Sequence, residues 1–330
     1  MPSNKKTALV TGGAGFIGSH LVDLLIRKKF KVIVFDDLSG GHLKNIKHNL
    51  KKIQLIKDDI INIDKHFRAL KNVNYIYHFA GRGDIVPSIE KPFDYFNNNV
   101  MGTISVLNLC RKLKKFKKIV YAASSSCYGI GKVPTKETDK ISTKYPYALS
   151  KYLGEEVTFH YARVYKLKVD SIRIFNAYGP RVRTTGAYGA AFGVFLKQKL
   201  LNKPFTVVGD GKQKRDFLYV TDVANAFFKT SLSKKSNEVY NLGYGKPHSI
   251  NYLLKLIGGK KIYIPKRPGE PNVTWADISK IKKNIKWQPL ITFEKGVSKM
   301  LENLNAWKDA PLWDKKKINR ATKIWFKYLS

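Results

Sequence analysis

Tyr147 and Lys151 stand four residues apart, and a helix puts residues at that spacing on one face. Upstream lie Ser124, Ser125 and Ser126, directly after the apolar run Lys118-Ile119-Val120-Tyr121-Ala122-Ala123. A phenol, an ammonium and a hydroxyl gathered in this way can take a proton from an alcohol. The ammonium favours the phenolate, and a phenol with a lowered pKa serves as a base near neutral pH. A tyrosine and a lysine four apart are by themselves a common surface pair. Two details weigh against that reading here. Tyr145-Pro146 sets Tyr147 at a helix start, and the serines fall at the carboxyl end of an expected parallel strand, the edge where open sheets bind ligands.

A second segment supplies what such an alcohol oxidation needs. Thr11-Gly12-Gly13-Ala14-Gly15-Phe16-Ile17-Gly18 follows the apolar run Ala8-Leu9-Val10 and opens a helical pattern. Glycines at this spacing permit a tight turn, close approach of backbone to a pyrophosphate, and close packing of helix on strand, with the helix N-terminus facing the phosphates. Asp36 ends the next strand, 24 residues beyond Gly12. A carboxylate there binds ribose hydroxyls and repels a 2′-phosphate, so the pattern favours NAD over NADP.

The elements that must hold these groups alternate. Strand patterns at Thr7–Thr11, Lys31–Phe35, Ile53–Ile56, Asn74–Ala80, Lys118–Ala123 and Val169–Phe175 are separated by helical ones at Ile17–Lys28, Asn98–Leu113 and Tyr147–Tyr165. Nearly continuous apolar strands between helices imply an α/β fold: a doubly wound parallel sheet of the Rossmann type, covered on both faces. After Gly179-Pro180 the alternation breaks into short strands, helices and glycine-rich turns. The reading is a dinucleotide-binding domain over 1–178, with 221–241 returning to it through a helix bearing Phe227 and Phe228. A smaller C-terminal α/β substrate lobe then occupies 179–330. Two helical segments, Phe293–Trp307 and Asp314–Leu329, end the chain, and the second reads as packing.

Bulk properties narrow the setting. The 330 residues suffice for a buried core. Cys110 and Cys127 form neither a disulfide framework nor a metal-ligand spacing, so no metal is expected and a reducing cytoplasm is the natural reading. The N-terminus lacks the apolar stretch of a signal peptide, and no segment approaches a membrane span. The formal charge of +37 comes from lysines spread through nearly every segment, without the clustering or the aromatic–basic interleaving of a specific nucleic-acid binder. Such a field speeds capture of an anionic substrate, with strong salt dependence.

Taken together, the motifs resemble the extended short-chain dehydrogenase/reductases, in the nucleotide-sugar epimerase and dehydratase group. The resemblance is carried by Thr11–Gly18, His78-Phe79-Ala80-Gly81, Asn99-Val100-x-Gly102-Thr103, Ser124–Gly129, Tyr147–Lys151 and Arg173–Pro180. It continues through Gly209–Phe217, Asp222-Val223 and Arg267-Pro268-Gly269-Glu270. It implies that Ser124, Tyr147 and Lys151 are catalytic. It implies that Gly12, Gly15, Phe16, Ile17, Gly18, Asp36, Asp59, Ile60, Phe79, Ala80, Asn99 and Phe175 border the cofactor, with Tyr147 and Lys151. It assigns Ser88, Ser125, Ser126, Asn176, Arg215, Arg267 and Thr274 to the sugar nucleotide, the arginines suiting a diphosphate. Dimerisation through Asn98–Leu113 and Tyr147–Tyr165, as a four-helix bundle, is also implied.

Within that group the stretch before Tyr128-Gly129 separates reactions. Dehydratases carry Thr-Asp-Glu there, and decarboxylases keep the glutamate. Here the stretch is Ser124-Ser125-Ser126-Cys127, as in 4-epimerases. The implied reaction is NAD-dependent 4-epimerisation of UDP-glucose/UDP-galactose or the N-acetylhexosamine equivalents through a transient 4-keto sugar. The alternatives are a 4,6-dehydratase, such as one acting on dTDP-glucose, and a UDP-glucuronate decarboxylase. Ser125 and Ser126 serve equally well as strand-end hydrogen-bonding residues or as substrate contacts. Thr274, three before Asp277, is small where glucose-restricted members carry a bulky aromatic, which implies room for an N-acetyl group.

Overall fold

A computed structural model describes residues 5–182, 191–266 and 269–329. Its centre is a seven-stranded sheet. The strands are β1 (Thr7–Thr11), β2 (Lys31–Phe35), β3 (Ile53–Ile56), β4 (Tyr75–His78), β5 (Lys118–Ser124), β6 (Val169–Ile174) and β7 (Glu238–Leu242), in the spatial order β7-β6-β5-β4-β1-β2-β3. Every neighbouring pair runs parallel. The strand order reverses at β1, which lies between β2 and β4, so the carboxyl ends of β1 and β4 diverge to open a crevice. β4 stops at His78, two residues short of the apolar run, because Phe79 and Ala80 turn into that crevice and meet the glycine loop.

Helices flank both faces: α1 (Phe16–Arg27), α2 (Ile85–Glu90), α3 (Gly102–Lys112), α4 (Pro146–Tyr165) and α5 (Val220–Leu232). The helical pattern near Asn98 opens as a π-type turn over Asn97–Met101 before α3 begins. α5 packs on α1, with the Phe227 ring 4.5 Å from that of Phe79 and Phe228 5.9 Å from Phe30. One core lies between the sheet and α1 and α5, around Val10, Val34, Tyr77, Phe227 and Trp287. The other lies between the sheet and α3 and α4, around Leu9, Ile33, Ile76, Val106 and Leu107.

Two charge pairs are buried on β6. Asp170 binds Lys118 at 2.8 Å, and that ammonium also donates to the Thr230 and Ser233 carbonyls. Arg173 binds the Glu155 carboxylate and donates to the Tyr128 hydroxyl at 2.7 Å, while Ser171 donates to Glu155 at 2.6 Å. A charge survives in such surroundings only when paired and hydrogen-bonded, as both pairs are.

A third core joins Tyr178, Phe192, Phe195, Phe217, Leu253 and Phe293. It underlies small two-stranded pairings, including Phe205–Val208 with Lys261–Ile264 and Lys214–Arg215 with His248–Ser249. The tail forms a helix at Phe293–Glu302, a 3-10 turn at Leu304–Trp307, and a final helix α6 (Lys315–Tyr328). Among the described residues no helix is long and apolar enough to cross a membrane.

Candidate active site

Two cavities meet at the carboxyl edge of the sheet. The first, of about 590 Å³, is lined by Gly12, Gly15, Phe16, Ile17 and Gly18 on one wall and by Asp36, Ile60, Phe79 and Ala80 on the next. Ser124, Tyr147, Lys151 and Phe175 close its inner end. The glycine loop is close-packed. Gly12 has φ +67°, a conformation in which a side chain is strained, and a Cβ there would sit 2.7 Å from the Ala80 nitrogen. A Cβ at Gly18 would collide with the Gly12 carbonyl oxygen. Gly15 lines the cavity and caps α1, so the loop presents bare backbone and a helix N-terminus to whatever lies there.

Asp36 is buried, and its carboxylate accepts from Ala14 N and Leu38 N, both at 2.8 Å. Burial raises its pKa and the two N–H bonds pull it back. A Cβ at Gly41 would lie 2.9 Å from both carboxylate oxygens, so this glycine keeps the approach to Asp36 open. Under the floor, neutral His78 bridges the Thr11 hydroxyl at 2.7 Å and the Thr103 hydroxyl at 3.0 Å. Burial holds its pKa down at about 3, so it ties β1 and β4 to α3 without carrying charge.

The reactive groups converge at the inner end. Pro146 begins α4 and leaves Tyr147 in its first turn, with Lys151 one turn on. Tyr147 and Ser124 line the same end of the cavity. The Ser124 hydroxyl donates to Ser126 Oγ at 3.0 Å and accepts from Ser126 N. The Lys151 ammonium sits 4.4 Å above the Tyr121 ring. The expected lowering of the phenol pKa is not a property of the protein alone. Burial pushes Tyr147 up to about 12, against the opposing influence of the Ser124 side chain, and pulls Lys151 down to about 7.

Three of the expected residues line neither cavity. Asp59 is exposed and its carboxylate caps the following turn by accepting from Ile61 N, while its neighbours Asp58 and Ile60 line the cavity. Asn99 is buried and spent on structure: it bonds the Arg82 N–H and carbonyl and the Ser150 hydroxyl, and Asn98 takes the lining position. Ser88 is fully buried and donates to the Ile85 carbonyl at 2.6 Å, turned into α2.

The second cavity, of about 410 Å³, is lined by Ser125, Ser126, Asn176, Arg215 and Thr274, together with Tyr147. Thr274 donates to Asn176 Oδ1 at 2.6 Å. Arg215 is held by Glu270 at 2.7 Å and by the Pro271 and Lys214 carbonyls. Arg267 and the 183–190 part of the loop after Pro180 lie outside the described residues. Tyr147, Asp84 and Ala177 line both cavities, so the phenol stands at their junction. Sequence reasoning missed Asp84 and Tyr145. Asp84 follows the Gly81-Arg82-Gly83 turn. Tyr145 lies two residues before Tyr147 and stacks on it at 6.4 Å, a spacing that could have signalled it. Among the described residues no three His, Cys, Asp or Glu side chains gather as a metal site.

This architecture and site define an enzyme of the nucleotide-sugar epimerase/dehydratase type within the extended short-chain dehydrogenase/reductases. Residues 9–300 match the family described as GDP-mannose 4,6 dehydratase, and the chain belongs to that family. A Methanocaldococcus jannaschii protein provisionally named a UDP-glucose 4-epimerase is 37% identical over 302 residues, 89% of this chain and 96% of that protein. The UDP-N-acetylglucosamine 4-epimerase of Methanobrevibacter ruminantium, solved with UDP-N-acetylmuramic acid, superposes with a TM-score of 0.85. It is 31% identical and covers 90% of this chain and 97% of its own. The UDP-glucuronic acid 4-epimerase of Bacillus cereus, solved with UDP-glucuronic acid and NAD, gives 0.84 at 31% identity, covering 91% and 99%.

Proposed function

We propose that the protein is an NAD-dependent UDP-sugar 4-epimerase. The observation that carries this reading is the position of Tyr147, which lines both cavities beside Ser124, in a site where serines stand in place of an acidic pair. The first cavity suits NAD: the backbone cradle at Gly12–Gly18 takes the pyrophosphate and Asp36 takes the ribose hydroxyls. The cofactor, when bound, supplies the hydride acceptor and donor and a positive charge beside the phenol.

In this reading Tyr147 receives the proton of the sugar 4-hydroxyl and later returns one to the 4-keto oxygen. Ser124 bonds the same oxygen and relays the proton. Lys151 bonds the cofactor ribose and offsets the phenolate charge. Arg215 and Arg267 hold the diphosphate, with Asn176, Ser125, Ser126 and Thr274 around the sugar. The chain then divides as a cofactor domain over 1–178, joined by 221–241, and a substrate lobe over the rest. The exposed Phe93, Met101, Leu149 and Val164, on or beside α3 and α4, suit the pairing of two copies as a homodimer.

The test is NMR of the protein incubated separately with UDP-glucose, UDP-N-acetylglucosamine and dTDP-glucose. The C4-inverted sugar without net cofactor reduction is the expected product. A 4-keto-6-deoxy sugar would instead mean a dehydratase, and a decarboxylated product from UDP-glucuronate a decarboxylase.

A further inference from the structure

Helix α6 lies beyond residue 300, where the family match ends, yet it reaches the substrate cavity. Asp314 caps it by accepting from Lys317 N at 2.8 Å, and Gln198 donates to the Trp313 carbonyl at 2.8 Å, which ties its start to the substrate lobe. Ile318, Thr322 and Trp325 are buried on one face, at four- and three-residue spacing, while Lys316, Arg320, Lys323 and Lys327 are exposed. Of the buried three, Ile318 and Trp325 line the second cavity. α6 packs on α2 in the cofactor lobe, and its end reaches the turn at Gly269, where a Cβ would lie 3.2 Å from the Leu329 carbonyl. The helix therefore touches both lobes beside the cavity.

Its aromatic contact fixes which end it covers. The Trp325 ring lies 6.4 Å from that of Tyr145, and Tyr145 is stacked on Tyr147, with the planes 8° apart. The indole thus stands at the reactive end of the cavity, next to the tyrosine that stacks on Tyr147. A pyranose presents carbon-bound hydrogens on its faces, and a broad apolar ring covers such a face while the hydroxyls reach polar groups.

We propose that α6 walls the sugar end of the substrate cavity and that Trp325 is a specificity residue, packing against the pyranose of a nucleotide sugar and backing Tyr145 behind Tyr147. This rests on the nucleotide-sugar reading of the site. It separates two parts of one ligand: the sugar touches the helix and the nucleotide does not.

The test is calorimetric titration of NAD-loaded wild type, Trp325→Ala and Trp325→Phe with UDP, UDP-glucose and UDP-N-acetylglucosamine. Trp325→Ala should weaken the UDP-sugars about tenfold and leave UDP unchanged, and Trp325→Phe should recover most of the loss. If the alanine protein does not fold, Trp325→Leu, which fills the space without a ring, should show the same selective loss. Equal weakening of UDP and the UDP-sugars, as from a purely structural role, would overturn the proposal, as would no change in any of them. Wild type that binds UDP-sugars but inverts none would overturn the epimerase reading alone, since the binding comparison still decides the role of Trp325. Wild type that binds neither would overturn both.

Discussion

Gly18 and Gly15 offer a paired test of the cofactor loop, because alanine would do different things at each. At Gly18 the new Cβ would meet only backbone: the Gly12 carbonyl oxygen, Gly13 Cα at 2.9 Å and Gly12 C at 3.0 Å. No flexible side chain can yield, so the cost lies at the upper end of the about 1–3 kcal/mol of overpacking. About 1 kcal/mol returns because alanine favours a helix over glycine, leaving about 2 kcal/mol. An unfolding entropy of about 2.1 cal/mol/K per residue gives roughly 0.7 kcal/mol/K for 330 residues. Gly18→Ala should therefore lower the melting midpoint by about 3 °C. At Gly15 the Cβ would meet only the Gly12 oxygen, at 3.1 Å, and otherwise enters the cavity. Gly15→Ala should hold the melting midpoint and weaken NAD by about tenfold or more. Scanning calorimetry and NAD titration of both variants make the measurement. If Gly15→Ala binds NAD as wild type does, the pyrophosphate does not pass over this loop. If Gly18→Ala melts unchanged, the contact between α1 and the glycine turn is looser than described.

Three further outcomes are expected. Tyr147→Phe should fold and bind nucleotide sugar but lose about 10²–10⁴-fold in turnover, the range for removing a positioned acid–base group, read by NMR of the product sugar. Lys151 titrates at about 7 when folded against an ordinary 10.5, so the folded protein binds fewer protons across that window. Stability of wild type relative to Lys151→Met should accordingly rise with pH between those values and be flat below, and urea unfolding at pH 7 and 9 reads the difference. Thr274→Tyr should selectively reduce turnover of N-acetylated sugars; equal loss on both sugar types would refute a role for Thr274 in admitting the N-acetyl group.

Much of this was legible in the chain because the chemistry is local in sequence. β1, β2 and β3 match their apolar runs, and Tyr147 and Lys151 fall in one helix with its start marked by Pro146. The expected residues that line neither cavity sit beside neighbours that do. Asp58 and Asp59, or Asn98 and Asn99, differ only in which way the backbone turns them, and a motif cannot resolve that. Spacing reveals the ammonium near Tyr147 but not the burial, which by itself raises the phenol's pKa. Trp325 had no local signal at all. Its meeting with Tyr145 depends on how a helix far along the chain folds back across both lobes.

The buried pairs on β6 bear on how the sheet is made. β6 leaves the ribosome well before β7, which is drawn from residues 238–242, so for part of synthesis β6 is an open edge. An exposed strand edge invites a foreign strand, and inward-facing charge discourages one. Asp170 and Arg173 put charge on that edge, and Lys118 and Glu155, their partners, are already made. The waiting edge is thus unattractive to another chain, with each charge already paired within its own. Loss of these charges would lower the yield of soluble protein on synthesis as well as the stability of the finished fold.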